Sequence, residues 1–290
     1  YTKFIYENGE CIDVKVHRAD TANVFYYLID EINYIMQEIR HLLGKYFIFY
    51  WVDGVFFSEE TPKETTKPSV AVEKVITSGI VPSTLEFLDN KCVVAVEEFA
   101  HLGLDTQAGA LLLFGDDGVG PVVAETVQAI SDLIKNVPGC RATTLAADVA
   151  EAEALLYARR CSLPALARHG TVTILEDISV PRPAMAEVVN RINSIAQKYN
   201  LEIGTFGHAG DGNLHPTIVL NKDDSAALKR AESALSEIFG LAKEFNGTIT
   251  GEHGIGSAKL PYLREQIGEV SMQVHRDLKK VFDPNGILNP

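Results

Sequence analysis

Apolar residues recur at helical spacing in several long stretches of the chain. From Val24 to Ile39 they are three or four positions apart, which is the spacing of one helix face. Asp20 or Thr21 can cap this helix at its start, and Gly44 can end it. The same periodicity predicts further helices at residues 69–78, 121–136, 148–160, 184–199, 223–245 and 270–282.

Shorter apolar runs predict strands between these helices. An Asn8-Gly9 pair lies between two runs that contain apolar residues, which is typical of a β-hairpin. Strands are predicted at residues 46–57, with a turn at Asp53-Gly54, and at 109–114, 171–180, 201–206, 214–220 and 247–250. Strands interleaved with helices predict an α/β or α+β sandwich in which helices cover one face of the sheet.

The first 65 residues differ from the rest of the chain because they are rich in Phe and Tyr. The polar segment EETPKETTKP at residues 59–68 is typical of a linker. We therefore predict a small αβ unit at residues 1–65 and a larger domain at 66–290. No cluster of residues suited to catalysis lies in the small unit, so a packing layer is favoured over a unit with its own function.

Composition narrows the class of protein. The net charge of −13 argues against nucleic-acid binding, because phosphate contacts need a surplus of Lys and Arg. A small anionic substrate is still compatible with this charge, because it needs only a local cation or a metal.

The four cysteines form no CxxC pair, as expected in a reducing compartment. No apolar run reaches the roughly 18 residues of a membrane span, and no signal-peptide pattern is present, so a cytoplasmic protein is predicted.

Two Gly-rich segments carry the candidate chemistry. The first, GHAGDGNLH at residues 207–215, joins two predicted strands, and a short hairpin there would bring His208 and His215 to one end of the sheet. The second, GEHGIG at residues 251–256, contains Glu252 and His253. Glycines on both sides allow a ligand or a flavin ring to approach the backbone closely.

Two histidines and a carboxylate are a sufficient protein ligand set for Zn²⁺, Mn²⁺ or Fe²⁺. His253, beside the carboxylate, is then a candidate general base, because the pKa of imidazole lies near neutrality. A single histidine is more often a structural residue, and Asp211 can simply close an Asx turn. Three of the eight histidines fall in these two short segments, which favours a functional site.

Five motifs together resemble a known family: SGIVPSTLEFLD at 78–89, LEDISVPR at 175–182, GTFGHAGDGNLHP at 204–216, TGEHGIGSAK at 250–259 and FDPNGILNP at 282–290. They are similar to the C-terminal half of FAD-linked oxidases of the glycolate oxidase, D-lactate and D-2-hydroxyglutarate dehydrogenase group. The resemblance implies an α+β, ferredoxin-like cap, an antiparallel sheet flanked by helices, over the flavin of a separate FAD-binding domain.

The resemblance also implies a role for each site residue. It makes His208, His215 and Glu252 the metal ligands, and His253 the base that takes the substrate's hydroxyl proton while a hydride passes to the flavin. A cation for the substrate carboxylate is expected at the end of the helix that closes with ARR, where we predict Arg160, with Arg159 as its nearest rival. Arg182 and Asn213 are further substrate-binding candidates, Gly254 and Asn289 are cofactor-binding candidates, and Lys259 can take either role or neither.

Two positions bear on the substrate. Thr217 and Leu175 stand where some relatives carry Asn and Lys, and these departures favour a small acid such as lactate or glycolate over D-2-hydroxyglutarate. No GGGTG-like phosphate loop occurs before residue 200, so FAD is expected from a domain missing from this chain or from an FAD-domain or electron-transfer partner protein. The alternatives are a metal-dependent hydrolase and a binding protein that keeps the cap fold without catalysis.

Overall fold

A computed structural model describes residues 2–7, 10–16, 46–53, 68–117 and 120–288. The predicted helix at residues 20–43 and nearly all of the predicted linker lie outside these residues. Strands within them are β1 (Thr2–Glu7), β2 (Glu10–Val16), β3 (Tyr46–Asp53), β4 (Thr84–Asp89), β5 (Ala108–Asp116), β6 (Cys140–Leu145), β7 (Val172–Leu175), β8 (Ile178–Ser179), β9 (Glu202–His208) and β10 (Asn213–Leu220).

The α-helices in the same part of the chain are α1 (Pro68–Thr77), α2 (Asn90–Ala100), α3 (Gly120–Ile134), α4 (Val149–Arg160), α5 (Ser162–Ala167), α6 (Met185–Tyr199), α7 (Ser225–Glu244) and α8 (Leu260–Phe282). A short 3₁₀ turn, Arg182–Ala184, precedes α6. None of the described helices combines the length and the apolarity that a bilayer-spanning segment requires.

The main sheet has the strand order β6-β3-β5-β4-β9-β10-β7, and β8 also pairs with β10. Every pairing in it is antiparallel. β1 and β2 form a separate antiparallel pair, as the Asn8-Gly9 pattern predicts. The predicted fold class, α+β with an antiparallel sheet flanked by helices, is confirmed.

β3 lies within residues 1–65 but is a strand of the main sheet. It pairs with β5 on one side and with β6 on the other. A separate role for residues 1–65 stays a prediction, whereas the strand at 46–53 contributes to the same sheet as the residues after 66.

Helices cover both faces of the sheet, so the prediction of one covered face is wrong. Phe87 and Leu112 point to a core shared with α1, α3, α6 and α7. Leu88 and Leu111 point to a second core with α2, α4 and α5. β5 is buried from its first residue through Gly115, and a strand that is buried on both faces needs such a continuous apolar run.

Several element boundaries differ from the predictions. The strand predicted at 171–180 is broken into β7 and β8 by the polar pair Glu176-Asp177. The segment at 247–250 forms only an isolated bridge between Thr248 and Ser179. α8 begins at Leu260 rather than at residue 270, with a break in helical geometry at Gly268, where φ is 74°.

Candidate functional site

β9 and β10 place the two predicted metal histidines on the same side of the sheet. His208 ends β9 and lies opposite Asn213, while His215 lies opposite Phe206. Residues two apart on a strand share a face, so both imidazoles lie on the face that carries the second core. Their ring centroids are 5.5 Å apart and the rings are perpendicular. His215 is buried, and His208 is partly exposed.

The turn between these strands has the geometry that its sequence predicts. The Asp211 side chain accepts a hydrogen bond of 3.0 Å from the backbone N–H of Asn213, which is the predicted Asx turn. Gly212 has a φ of 84°, and a Cβ atom there would lie 1.9 Å from the carbonyl oxygen of Val180. Only glycine fits this position, because any side chain would collide with backbone.

The second Gly-rich loop brings Glu252 to the two histidines. Its Oε1 atom lies 3.3 Å from Nε2 of His215 and 3.5 Å from Nε2 of His208. Nε2 of His253 lies 3.7 Å from the same oxygen, and the His253 ring stacks on that of His215 with centroids 5.0 Å apart. The structure therefore brings together all four residues that the sequence singled out.

These separations fit donor atoms that share an ion better than they fit hydrogen bonds. Ligands about 2.0–2.2 Å from a tetrahedral ion lie about 3.3–3.6 Å from one another. Direct N–H···O bonds are shorter, usually about 2.7–3.2 Å. His208, His215 and Glu252 are thus one group that could hold a metal ion, and Asp177, His215 and His253 are a second.

Glu86 sits behind His208. Its Oε1 atom lies 2.8 Å from Nδ1 of His208, and this hydrogen bond raises the pKa of His208. Burial works against ionisation of Glu86, but the hydrogen bond with His208 and the charge of Arg159 outweigh it and lower the pKa of Glu86. A carboxylate on Nδ1 leaves Nε2 free to bind an ion.

His215 stays neutral at neutral pH. Burial, with the charges of Arg159 and His208, lowers its pKa to about 4. Its Nδ1 atom finds no hydrogen-bond partner among the described residues. A neutral imidazole is the form that binds a metal ion.

Arg159, rather than Arg160, faces the site. Its Nε donates to Glu86 at 2.8 Å, and its guanidinium lies 4.7 Å above the Phe206 ring. Arg160 is exposed and forms an ion pair with Glu153 at 3.1 Å. The helical spacing could have distinguished the two arginines. Arg159 lies on the same helix face as Ala152 and Leu155, which pack on the second core. Arg160 lies roughly 100° around the helix from Arg159.

The other predicted binding residues lie around this centre. Asn213 is buried beneath the Gly-rich loop, where a Cβ atom on Gly251 would come within 2.5 Å of its amide. Arg182 donates to the carbonyl of Gly210 and lines, with His208, a cavity of about 310 Å³. Gly254 is exposed with open space around it, and Asn289 lies outside the described residues.

Two further residues at the site, Glu86 and Asp177, are not predicted from the sequence. Glu86 stands in the motif SGIVPSTLEFLD, which supports the family resemblance but assigned no role to this residue. Asp177 is completely buried and accepts hydrogen bonds from the loop that carries Glu252. Lys259, for which the sequence leaves the role open, donates to the carbonyl of Asp177 at 2.7 Å.

Known proteins match most of this chain. Residues 66–290 match the family described as FAD linked oxidases, C-terminal domain. The chain is 44% identical over 219 residues to glycolate oxidase subunit GlcD of Bacillus subtilis, covering 76% of this chain and 46% of that protein. It is 33% identical over 239 residues to D-lactate dehydrogenase of Anaerostipes hadrus, covering 79% and 50%. The chain thus spans about half the length of the curated relatives it matches.

Two solved structures share the fold at low sequence identity. p-Cresol methylhydroxylase with substrate bound superposes with a TM-score of 0.60 and 14% identity, over 85% of this chain and 52% of that chain. 4-Ethylphenol oxidase from Gulosibacter chungangensis superposes with a TM-score of 0.61 and 15% identity, over 85% and 53%. At this identity the likeness concerns the fold alone.

Proposed function

Because this chain belongs to the FAD linked oxidases through their C-terminal domain, we propose that it is the substrate- and metal-binding part of a flavin-dependent 2-hydroxy-acid dehydrogenase. The observation that carries the proposal is the position of Glu252 Oε1, 3.3–3.7 Å from the Nε2 atoms of three histidines. Relatives named as a glycolate oxidase subunit and a D-lactate dehydrogenase support the substrate class.

His208, His215 and Glu252 would hold a divalent metal, Zn²⁺, Mn²⁺ or Fe²⁺. A metal ion bound there supplies a Lewis acid that polarises the substrate's oxygen atoms. His215 offers a neutral imidazole, while the hydrogen bond that His208 Nδ1 donates to Glu86 orients the second ring. The second group of potential ligands fits less well, because Oδ2 of Asp177 already accepts hydrogen bonds from Thr250, Gly251, Glu252 and His253.

His253 would act as the general base. Its imidazole is exposed above the ligand group, so it can reach the hydroxyl proton of a substrate that lies on the same side. FAD, when bound, supplies the acceptor for the two electrons that leave the substrate carbon. Gly254, next to His253, leaves open space in which a flavin ring could approach the loop, and Asn289 stays a predicted cofactor contact.

The substrate carboxylate would be bound by Arg159, which takes the place first predicted for Arg160. Arg159 is held beside the histidines by Glu86 and by the ring of Phe206, so its guanidinium is already oriented before substrate arrives. Arg182 and Asn213 stay candidates for further substrate contacts, Arg182 from the cavity that it lines with His208.

The residues beside the histidine pair favour a short acid. Thr217 lies two residues after His215 and therefore on the same face of β10, and Leu175 is its register partner on β7. Thr217 is buried and donates its hydroxyl to the carbonyl of His215. Neither side chain can form an ion pair with a second carboxylate. Lactate or glycolate therefore fits beside these two residues better than a dicarboxylic acid.

An FAD-binding half, on a partner or on a further domain, would complete the site. Glu252 and His253 are exposed, although a redox site usually excludes water. Helix α8 follows directly on the loop that carries them. It exposes apolar residues to solvent at helical spacing: Val270 is 81% exposed, Val281 72% and Phe282 77%, and Val274 and Leu278 lie between them. Such a contiguous apolar patch marks an interaction surface. Cytoplasmic localisation stays a prediction.

The first test is metal binding by the purified chain, measured by equilibrium dialysis against Zn²⁺ and Mn²⁺. We expect one ion per chain, and Glu252→Gln should weaken its affinity at least tenfold. Glu232→Gln, at an exposed position on α7, is the matched control.

The second test is catalysis. Oxidation of glycolate or D-lactate by the flavin-loaded enzyme should be lost in His253→Ala. Ester hydrolysis by the flavin-free chain would instead favour a metal-dependent hydrolase, and absence of both activities would favour a binding protein.

A further inference from the structure

Asp177 and Lys259 clamp the loop that carries Glu252 and His253. We propose that they are positioning residues, which hold this loop against the His208–His215 pair; the role rests on the proposed function of that site. The Asp177 carboxylate lies near His215 and His253, but its Oδ2 atom is already engaged by hydrogen bonds from the loop. Their contribution is to fix where the loop backbone runs, and through the backbone where the two functional side chains lie.

The Asp177 carboxylate is the anchor at the start of the loop. It is completely buried, and its Oδ2 atom accepts hydrogen bonds from the Thr250 hydroxyl at 2.6 Å, and from the backbone N–H groups of Gly251 at 2.8 Å, Glu252 at 3.1 Å and His253 at 2.9 Å. Successive N–H groups that converge on one anion form a nest. The loop therefore has this curvature only while a carboxylate occupies its centre.

Thr250 extends this anchor to the far side of the functional pair. Its hydroxyl donates to Asp177 and accepts from the backbone N–H of Gly254 at 2.9 Å. Glu252 and His253 thus lie between two backbone positions that hydrogen bonds hold in place. Their side chains can still rotate, but their Cα atoms are fixed.

Lys259 ties the end of the loop to the same place. Its ammonium group is buried, donates to the carbonyl of Asp177 at 2.7 Å and lies 3.2 Å from a carboxylate oxygen of Glu176. Buried charged groups in proteins are normally paired in this way. Both ends of the segment from Thr250 to Lys259 therefore converge on the Glu176-Asp177 pair that interrupts the strand between β7 and β8.

That pair is itself fixed to the histidine strand. The backbone N–H of Glu176 donates to the carbonyl of Pro216, the residue after His215, at 3.0 Å. Beyond the pair, β8 pairs with β10 at Leu214 and Asn213. The break in the strand thus places a buried carboxylate beside β10, and the carboxylate connects the two Gly-rich segments of the site.

The test is hydrogen exchange on the metal-free chain with Asp177→Asn. The neutral amide oxygen of asparagine accepts these bonds more weakly than a carboxylate oxygen, and its NH2 group cannot accept at all. We therefore expect the amides of Gly251, Glu252 and His253 to exchange about 10- to 100-fold faster. The amides of β9 and β10 should keep their protection. Asp224→Asn is the matched control, because Asp224 caps α7 through the N–H groups of Ala226 and Ala227 and should leave the loop unchanged.

Thr250→Val is a milder variant that keeps the shape of the side chain and removes only the hydroxyl's two hydrogen bonds, to Asp177 and from the N–H of Gly254. It should show the same selective loosening to a smaller extent, so the proposal is testable even where Asp177→Asn fails to fold. Unchanged protection of the loop in either variant, or an equal loss of protection across β9 and β10, would overturn the positioning role.

A second measurement separates this inference from the proposed function. Zn²⁺ affinity should fall at least tenfold in Asp177→Asn and stay unchanged in Asp224→Asn, because only the first displaces Glu252. A wild-type chain that binds neither Zn²⁺ nor Mn²⁺ would overturn the proposed metal site, while the exchange data would still decide whether Asp177 holds the loop.

Discussion

His208 and Glu86 lie opposite each other on neighbouring strands, and Nδ1 of the histidine is 2.8 Å from a carboxylate oxygen of the glutamate. The second oxygen of Glu86 accepts from Arg159. One partly buried carboxylate therefore fixes both a candidate metal ligand and the candidate cation for the substrate. Replacement of Glu86 should therefore disturb the positions of both His208 and Arg159.

Glu86→Gln should weaken metal binding about 10- to 100-fold, because an amide orients the His208 ring less firmly and no longer raises the basicity of its Nε2. Equilibrium dialysis with Zn²⁺ measures this change. Glu125→Gln, at an exposed position on α3, serves as control. Equal affinity in the two variants would show that Glu86 plays no part in ligand orientation.

Arg159→Ala and Arg160→Ala are neighbouring changes with different expected results. Loss of a charge-assisted bond to the substrate carboxylate should lower kcat/KM for glycolate or D-lactate about 10- to 100-fold in Arg159→Ala. Arg160→Ala should stay near the wild-type value, since Arg160 pairs with Glu153 in solvent. Steady-state kinetics of the flavin-loaded enzyme tests this, and the reverse order of effects would restore the original assignment.

Two capping aspartates should give opposite pH dependence of stability. Burial raises the pKa of Asp89, although the N–H groups of Cys92 and Thr205 offset part of this effect. As the pH rises, the carboxyl group of Asp89 ionises at a lower pH in the unfolded chain than in the folded one. Its contribution therefore makes the fold less stable as the pH rises from about 3.8.

Asp224 has the opposite sign. The hydrogen bond from Arg230 lowers the pKa of Asp224, so its stabilising contribution is present above about 3.8 and is lost as the pH falls below that value.

Thermal unfolding of Asp89→Asn and Asp224→Asn between pH 3 and 6 measures both slopes. Relative to wild type, the Asp89 variant should gain in Tm as the pH rises through this range, because the destabilising ionisation is absent. The Asp224 variant should lose its disadvantage toward pH 3. Parallel curves for the three proteins would contradict the assigned directions.

The positions of most elements follow from local patterns in the sequence, and the exceptions have physical causes. β6 is an edge strand with largely exposed side chains, so it lacks the apolar run that marks β5. Glu176 and Asp177 interrupt the strand pattern. Asp177 binds the backbone of Gly251, 74 residues away in sequence, and Glu176 pairs with Lys259. No local periodicity can show such distant contacts.

The candidate site was predictable where its chemistry is concentrated in short segments. His208, His215, Glu252 and His253 lie in two short Gly-rich segments, and the fold brings them together as expected. Glu86 and Arg159 come from β4 and α4, and nothing in their own segments indicates that they meet at His208. Choosing Arg159 over Arg160 depends on the phase of one helix against the sheet.

Anomalous scattering from crystals of the Zn²⁺-loaded chain tests the central claim most directly. The account predicts one strong zinc peak about 2.0–2.2 Å from Nε2 of His208, Nε2 of His215 and a carboxylate oxygen of Glu252. A peak coordinated by other residues, or a chain whose three ligand atoms are bridged by protein hydrogen bonds with no zinc between them, would contradict it.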